Sequence, residues 1–335
     1  IERDIRSAVE NFEIVLREQV ARNQLMRAER EERGAADKTG DLAPNSNIDK
    51  VIIGTAAGDG IGPIIMTEAE KVLKAVLRDR LASGTLVLNP IEGFTLENRL
   101  AAGKTVPDSV MAAMSECDVL LKGPTTTPNA AMNTANIESA NVYLRKSFDL
   151  FANVRPVSIP EEGIDWTFFR ENTEGEYALG SKGEYITGEL AVDFKVTTDE
   201  GTERIARAAY EYARANGKKR VSIVTKANIM KKTDGNFLNI CREVAKDYPE
   251  IETDSWFIDI MAANLVNKEI RSNFQVFVLP NLYGDIITDE AAQIQGGVGT
   301  AGSANIGRNY AIFEAIHDSA PRMIEEGLGE YANPS

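Results

Sequence analysis

The feature that most constrains this chain is a repeated alternation of short apolar runs with amphipathic stretches. "KVIIGTA" (50–56) reads as a buried strand, and "IIMTEAEKVLKAVL" (64–77) places Ile65, Ala69, Val72, Leu73 and Val76 on one helical face. The rhythm recurs with "TLVLN", "CDVLLKG", "RVSIVTK" and "FQVFVLP" as strands, and with "PDSVMAAMSE", "GTERIARAAYEYARANG" and "GNFLNICREVAKDY" as helices. Parallel neighbours cannot be joined by a tight turn, and a helix supplies the crossover they need. The alternation therefore predicts an α/β fold built on a largely parallel sheet. One stretch, "ALGSKGEYITGELAVDFKVTT" (178–198), breaks the rhythm with β-branched and aromatic residues between glycines, and reads as a β-hairpin arm placed to pair with another subunit.

Residues 1–33 form a charged helix with Ile5, Val9, Phe12 and Leu16 on a narrow stripe, followed by Gly34 and a polar stretch to Ser46 that reads as helix stop and linker. The expectation is a helix docked on its own domain, with an oligomer contact as the alternative and no chemistry assigned.

A formal net charge of −14 disfavours nucleic acid or an anionic membrane surface as the main partner, so any anionic substrate needs locally built positive pockets. No apolar run approaches the roughly 20 residues of a membrane span, and "IERDIRSAVENFE" is too charged for a signal peptide. Cys117 and Cys241 offer no disulfide framework, which points to a reducing cytoplasm. With His317 the single histidine, a metal site must be rich in oxygen ligands, favouring Mg²⁺ or Mn²⁺ over Zn²⁺.

Several segments hold residue types suited to chemistry. "GDGIGP" (58–63) follows a strand and precedes a helix, where backbone amides can meet an anion; a tight turn needs glycine equally. Arg145, Arg155 and Arg170 stand in two neighbouring segments, and Arg155 before proline and Arg170 after two phenylalanines sit in apolar contexts, where a guanidinium is costly unless it meets an anion. Three such groups suit a substrate with several carboxylates. Lys226 ends a strand, where active sites of parallel sheets gather, and Asp259 interrupts the apolar run "FIDIMAANLV". Asp285 and Asp289, four apart, precede the small-residue run "GGVGTAGSANIG" and can converge as hard oxygen ligands, although Asp289 also suits helix capping.

"GDGIGP", "LRKSFDLFANVRP", "FRENTEGEY", "TKANIMKKTDG", "NLYGDIITDEAAQIQGGVGTAGSANIG" and "FEAIHDSAP", in that order, resemble the β-decarboxylating dehydrogenases, the isocitrate and isopropylmalate dehydrogenase family. The resemblance spans about residues 48–334. It implies a two-domain, non-Rossmann α/β fold with a hairpin arm at the dimer interface. The expected divisions are 1–47 as helix and linker, 48–150 with 296–335 as a large cofactor-side domain, and 151–295 as a small substrate and dimerisation domain. It also implies further helices beyond "YANPS" that complete the large domain.

The chemistry the resemblance implies is oxidation of a 2-hydroxyl to a β-keto acid, reduction of NAD or NADP, and loss of CO₂ with a Mg²⁺ or Mn²⁺ ion as Lewis acid. Asp285 and Asp289, with Asp259 from a partner subunit, would hold the ion. Lys226, also from the opposite subunit of a homodimer, would assist hydroxyl deprotonation, and Tyr177 would protonate the enolate carbon. Arg145, Arg155 and Arg170 would hold carboxylates. Thr126, Thr127, Asn228, His317, Ser319, Ala320, Arg322 and Asn333 would face the cofactor.

Ser139 and Asn141, standing in "SANVYLR" just before Arg145, resemble the spacing of isocitrate dehydrogenases, where isopropylmalate enzymes present leucines to an apolar group. A hydroxyl and an amide suit a third carboxylate, which favours isocitrate over isopropylmalate or homoisocitrate. Ser139 as a plain helix cap is the structural alternative. The long loop "TTTPNAAMNTANIE" keeps the other acids open. Arg322 after "HDSAP" points to NADP, whereas Glu325 or Glu326 can replace the aspartate of NAD enzymes; the balance leans slightly to NAD. A non-catalytic regulatory paralogue and a metal-dependent hydrolase are the readings from other classes.

Overall fold

The computed structural model describes residues 1–33, 49–128 and 137–334. The linker from Gly34 to Ser46 and most of the loop "TTTPNAAMNTANIE" lie outside the described residues.

Along the chain the elements are α1 (Glu2–Arg33), β1 (Val51–Ala56), α2 (Gly62–Val76), α3 (Arg78–Ala82), β2 (Leu86–Pro90), α4 (Leu96–Ala102), α5 (Asp108–Ser115), β3 (Val119–Lys122), α6 (Ala140–Ser147) and β4 (Ala152–Ile159). There follow β5 (Ile164–Glu171), β6 (Glu184–Ile186), β7 (Leu190–Val192), α7 (Asp199–Ala215), β8 (Arg220–Thr225), α8 (Thr233–Ala245), β9 (Glu252–Phe257) and α9 (Ile258–Val266). β10 (Val276–Leu279), α10 (Asn281–Gln295), β11 (Gly302–Ile306), β12 (Ala311–Ala315) and α11 (Pro321–Glu325) complete the series. The chain divides into two compact units, Ile1–Leu42 with Ile159–Thr288, and Ala43–Ser158 with Asp289–Ser335.

In the first unit β5, β10, β8 and β9 lie side by side in parallel. Phe168 on β5 stacks on its register partner Phe277 of β10 at 4.3 Å, with Trp166 edge-on to both. α7 buries Ala206, Ala208, Ala209 and Ala213, small residues that bring its axis close to the sheet. Its start is set by Thr198, whose hydroxyl accepts from Gly201 N at 3.1 Å, a cap worth about 1 kcal/mol. The 178–198 stretch contains the expected antiparallel hairpin, β6 on β7, turning through Gly188 at φ 75°.

α1 packs on this unit with a different stripe from the one its sequence suggests. Ala8 and Val15 are buried, whereas Ile5, Val9 and Leu16 are exposed. Phe12 meets Phe194 edge-on at 4.9 Å. The helix is turned by its arginines: Arg22 reaches buried Glu174 at 2.6 Å, and Arg30 reaches Glu203 at 2.6 Å. Charge-assisted bonds to carboxylates fix the rotation more strongly than exposed aliphatic side chains can.

In the second unit the strands run β2-β1-β3-β12-β11-β4, with β11 antiparallel to both neighbours and the other pairs parallel. Phe94, Val110, Met114, Leu120, Leu144 and Ile312 form its core. α2 departs from expectation, burying Ile65 and Met66 in its first turns while Val72 and Val76 are exposed. Its sheet-facing stripe serves the N-terminal half alone. No helix among the described residues is long and apolar enough to cross a membrane.

Candidate active site

The second unit collects the loops that follow its parallel strands. A Cβ on Gly58 would collide with the carbonyl oxygen of Pro124, and one on Gly60 with that of Ser319. The glycines of "GDGIGP" thus let three backbones approach one another: their own, that of "KGPTTTP" and that of "HDSAP". Asp59 locks the junction, accepting from Leu96 N at 2.7 Å and Thr126 N at 2.8 Å. Thr126 and Ser319 share a hydroxyl–hydroxyl bond of 2.6 Å. Thr127 is exposed, and Ala320 sits at φ 44° ahead of α11. His317 Nδ1 lies 3.1 Å from Asp318 O, while its Nε2 is buried with no hydrogen-bond partner among the described residues. Arg322 is exposed and paired with Glu326 at 2.7 Å; Asn333 is exposed beside Gly299.

In this unit Ser139 is the residue before α6, and its side chain makes no capping bond. Asn141 Oδ1 accepts from Thr125 at 3.1 Å. One turn on, Arg145 is nearly buried, 3.7 Å from Glu314. Burial alone would push the Glu314 carboxyl up, but Lys122 and Arg145 outweigh it and hold its pKa down at about 2. Arg155 points inward from β4; its Nε donates to Asn153 at 2.7 Å and its Nη1 lies 3.4 Å from Asp289.

The first unit carries two further groupings. Arg170, buried on β5, donates twice to Asn281 Oδ1, at 2.7 and 3.0 Å, and pairs with Asp285. The Tyr177 hydroxyl donates to the other oxygen of Asp285, with the Arg170 guanidinium over the phenol ring. Elsewhere Lys226, just past β8, meets Asp259 at 2.5 Å, which holds the Asp259 carboxyl below the usual carboxylate range. Asn228 is exposed in the turn beyond. Asp259 is itself exposed at the start of α9, not buried as the apolar run "FIDIMAANLV" suggests, because a helix start leaves its first turn open to solvent.

The family model described as isocitrate/isopropylmalate dehydrogenase matches residues 52–335. The chain belongs to the isocitrate/isopropylmalate dehydrogenase family. It is 39% identical over 285 residues to the mitochondrial isocitrate dehydrogenase [NAD] subunit 2 of Schizosaccharomyces pombe, covering 83% of this chain and 71% of that one. It is 39% identical to the isocitrate dehydrogenase [NADP] of Rickettsia prowazekii, covering 84% of this chain and 56% of that one. The crystal structure of isocitrate dehydrogenase from Methylococcus capsulatus superposes with TM-score 0.73 at 37% identity, covering 85% of this chain and 81% of that one. The fold is thus the family's own α/β architecture and not a Rossmann fold. Its members are decarboxylating dehydrogenases that use NAD or NADP, and this chain is an enzyme of that kind.

The family reading calls for a hard divalent cation. Asp285 and Asp289, one turn apart on α10, fit Mg²⁺ or Mn²⁺ because both offer only carboxylate oxygens. Among the described residues no group of three acidic, histidine or cysteine side chains comes together.

Sequence reading passed over Lys122, Glu314, Asn281, Lys195 and Asp234. Glu314 had a signal, a lone carboxylate in the apolar strand "AIFEA". Lys195 and Asp234 had none, since their meaning lies in whom they touch.

Proposed function

We propose that the protein oxidises and decarboxylates isocitrate to 2-oxoglutarate and CO₂, with Mg²⁺ or Mn²⁺ bound and NAD or NADP as hydride acceptor. The observation that carries the choice of substrate is Ser139, which precedes α6 with no capping bond from its hydroxyl among the described residues. With Asn141 one turn before Arg145 on the same helix face, it suits a third carboxylate. A leucine pocket would suit isopropylmalate instead.

The division of labour follows from the side chains. Arg145, Arg155 and Arg170 offer guanidinium forks to the substrate's carboxylates. Asp285, Asp289 and a second copy's Asp259 would hold the cation, which supplies Lewis acidity while the nicotinamide accepts hydride. Lys226, acting in the site of a second copy, takes up the hydroxyl proton. Tyr177, hydrogen-bonded to Asp285 in this structure, delivers a proton to the carbon that loses CO₂. This reading calls for a homodimer. Lys226 and Asp259, both assigned to the neighbouring copy's site, lie together in this structure, which supports it.

NAD is favoured over NADP because the Arg322 guanidinium is engaged by Glu326. The free, buried cysteines fit a reducing compartment, read as the cytoplasm. Retention of Tyr177, Lys226, Asp285 and the three arginines speaks against a non-catalytic subunit. The test is stoichiometric: isocitrate with Mn²⁺ and either NAD or NADP should yield one reduced nicotinamide and one CO₂ per acid consumed. Reduction without CO₂ release, or neither, would refute the assignment.

A further inference from the structure

The side chains that hold the proton-transfer groups are as informative as those groups themselves. Lys195, at the end of the 178–198 arm segment, has a nearly buried ammonium. Its Nζ lies 2.7 Å from Asp234 Oδ1, 3.2 Å from Glu176 Oε1 and 3.2 Å from the Tyr283 hydroxyl. It also sits 4.3 Å from the centre of the Tyr283 ring. Asp234, in the first turn of α8, is fully buried, and its second oxygen accepts from the backbone N–H of Lys226 at 2.6 Å.

Each contact of Lys195 leads to a segment that carries a functional group. Through Asp234 it reaches the backbone of Lys226. Through Glu176 it reaches the residue before Tyr177, and through Tyr283 it reaches α10, the helix that bears Asp285. A surface ion pair would impose little geometry, but a buried one with further hydrogen bonds does, because no water stands ready to replace either partner.

We propose that Lys195 and Asp234 form a positioning pair that sets the placement of Lys226 and Tyr177 for proton transfer. Neither residue touches substrate in this account. Their effect is exerted through the Lys226 amide, Glu176 and Tyr283, and it rests on the proton-transfer roles given above to Lys226 and Tyr177. Misplacing a catalytic group by a fraction of an ångström costs rate more than affinity, since the reacting distance tightens only in the transition state.

The experiment uses the full chain and compares the parent with Lys195→Met, Asp234→Asn and the double variant. The double variant removes both buried charges together and so avoids leaving one unpaired. Isocitrate, homoisocitrate and 3-isopropylmalate are each offered with NAD and NADP, and the comparison is made on whichever acid the parent oxidises, well below the melting temperature of every variant. A parent that prefers another acid sinks the isocitrate assignment and still allows the pair to be judged. The expected result is a fall in kcat of about 10- to 100-fold with KM within about threefold. The double variant should fall no further than Lys195→Met, and both hydroxyl oxidation and processing of the β-keto acid should slow. If the folded double variant keeps kcat within about threefold of the parent and loses only thermal stability, or if KM alone rises, the pair is structural and the proposal is overturned. A parent that oxidises none of the three acids overturns it together with the reading on which it rests.

Discussion

The Lys226 ammonium lies 2.5 Å from Asp259, the lysine following β8 and the aspartate opening the helix after β9, the parallel neighbour of β8. Parallel pairing places both strand ends at the same edge of the sheet, so two residues far apart in sequence meet by topology. Tyr177 and Asp285 form a separate grouping with Arg170. The side chains of the two proton-transfer residues therefore touch different partners directly, and their substitutions should separate.

Tyr177→Phe should slow protonation after CO₂ loss more than hydroxyl oxidation, whereas Lys226→Met should depress oxidation itself, each by about 10²- to 10⁴-fold in the affected step. Adding oxalosuccinate directly bypasses oxidation. Equal losses with isocitrate and oxalosuccinate in both variants would contradict the split.

Asp285 accepts from Tyr177 and pairs with Arg170 while also being proposed as a cation ligand. Asp285→Asn should lower turnover at limiting metal by roughly 10²-fold or more and raise the Mn²⁺ concentration needed for activation, excess Mn²⁺ recovering a part. An unchanged Mn²⁺ activation curve would remove Asp285 from the ligand set.

Glu171 is buried among Thr173, Glu174 and Arg204, and burial together with the Glu174 charge pushes its pKa from 4.5 up to about 7. A carboxyl raised on folding binds protons more tightly in the native state, so its contribution to stability is full below about pH 4.5 and is lost as pH rises to 7. Glu171→Gln, which keeps an acceptor without the charge, should stabilise the protein by on the order of 1 to 3 kcal/mol at pH 8 and hardly at all at pH 5. Urea unfolding at the two pH values measures this; an equal effect at both would dismiss the buried charge as its source.

Glu314 has the opposite sign. Its pKa is held at about 2, below its ordinary 4.5, so the stability it contributes is present above pH 4.5 and lost as pH falls through 2. Lys122→Met leaves this carboxylate with Arg145 at 3.7 Å and the Asn305 amide at 2.7 Å and should cost about 3 to 5 kcal/mol. Adding Glu314→Gln should recover much of that loss. A double variant as unstable as the single would mean that packing of the lysine stem, and not its charge, matters.

Much of this architecture was legible because its signals are local. "RVSIVTK" and "FQVFVLP" became β8 and β10, and the hairpin in 178–198 is present as β6 and β7. β4 and β5 were harder, since Arg155 and Arg170 interrupt their apolar character and drew attention as charges; both are inward-facing strand residues whose guanidinium groups are met by Asn153 and Asn281. The stripe of α1 differs from the one its apolar spacing suggests because its orientation is decided by carboxylates on distant segments, Glu174 and Glu203. The glycines of "GDGIGP" suit an anion-facing loop or a tight turn equally when read in sequence, and their role of admitting two other backbones depends on loops remote in the chain. Ion pairs such as Lys195 with Asp234 exist only once the fold has formed.

The central claim is that isocitrate is the acid oxidised, and its most direct measurement is kcat/KM for isocitrate and 3-isopropylmalate with the parent and with Ser139→Leu. The account predicts that the parent strongly prefers isocitrate. The leucine, removing a donor and facing an anion with an apolar group, should cost isocitrate about 2 to 4 kcal/mol of transition-state binding while activity on 3-isopropylmalate holds or rises. A parent that already prefers 3-isopropylmalate, or a substitution that harms both acids alike, would contradict it.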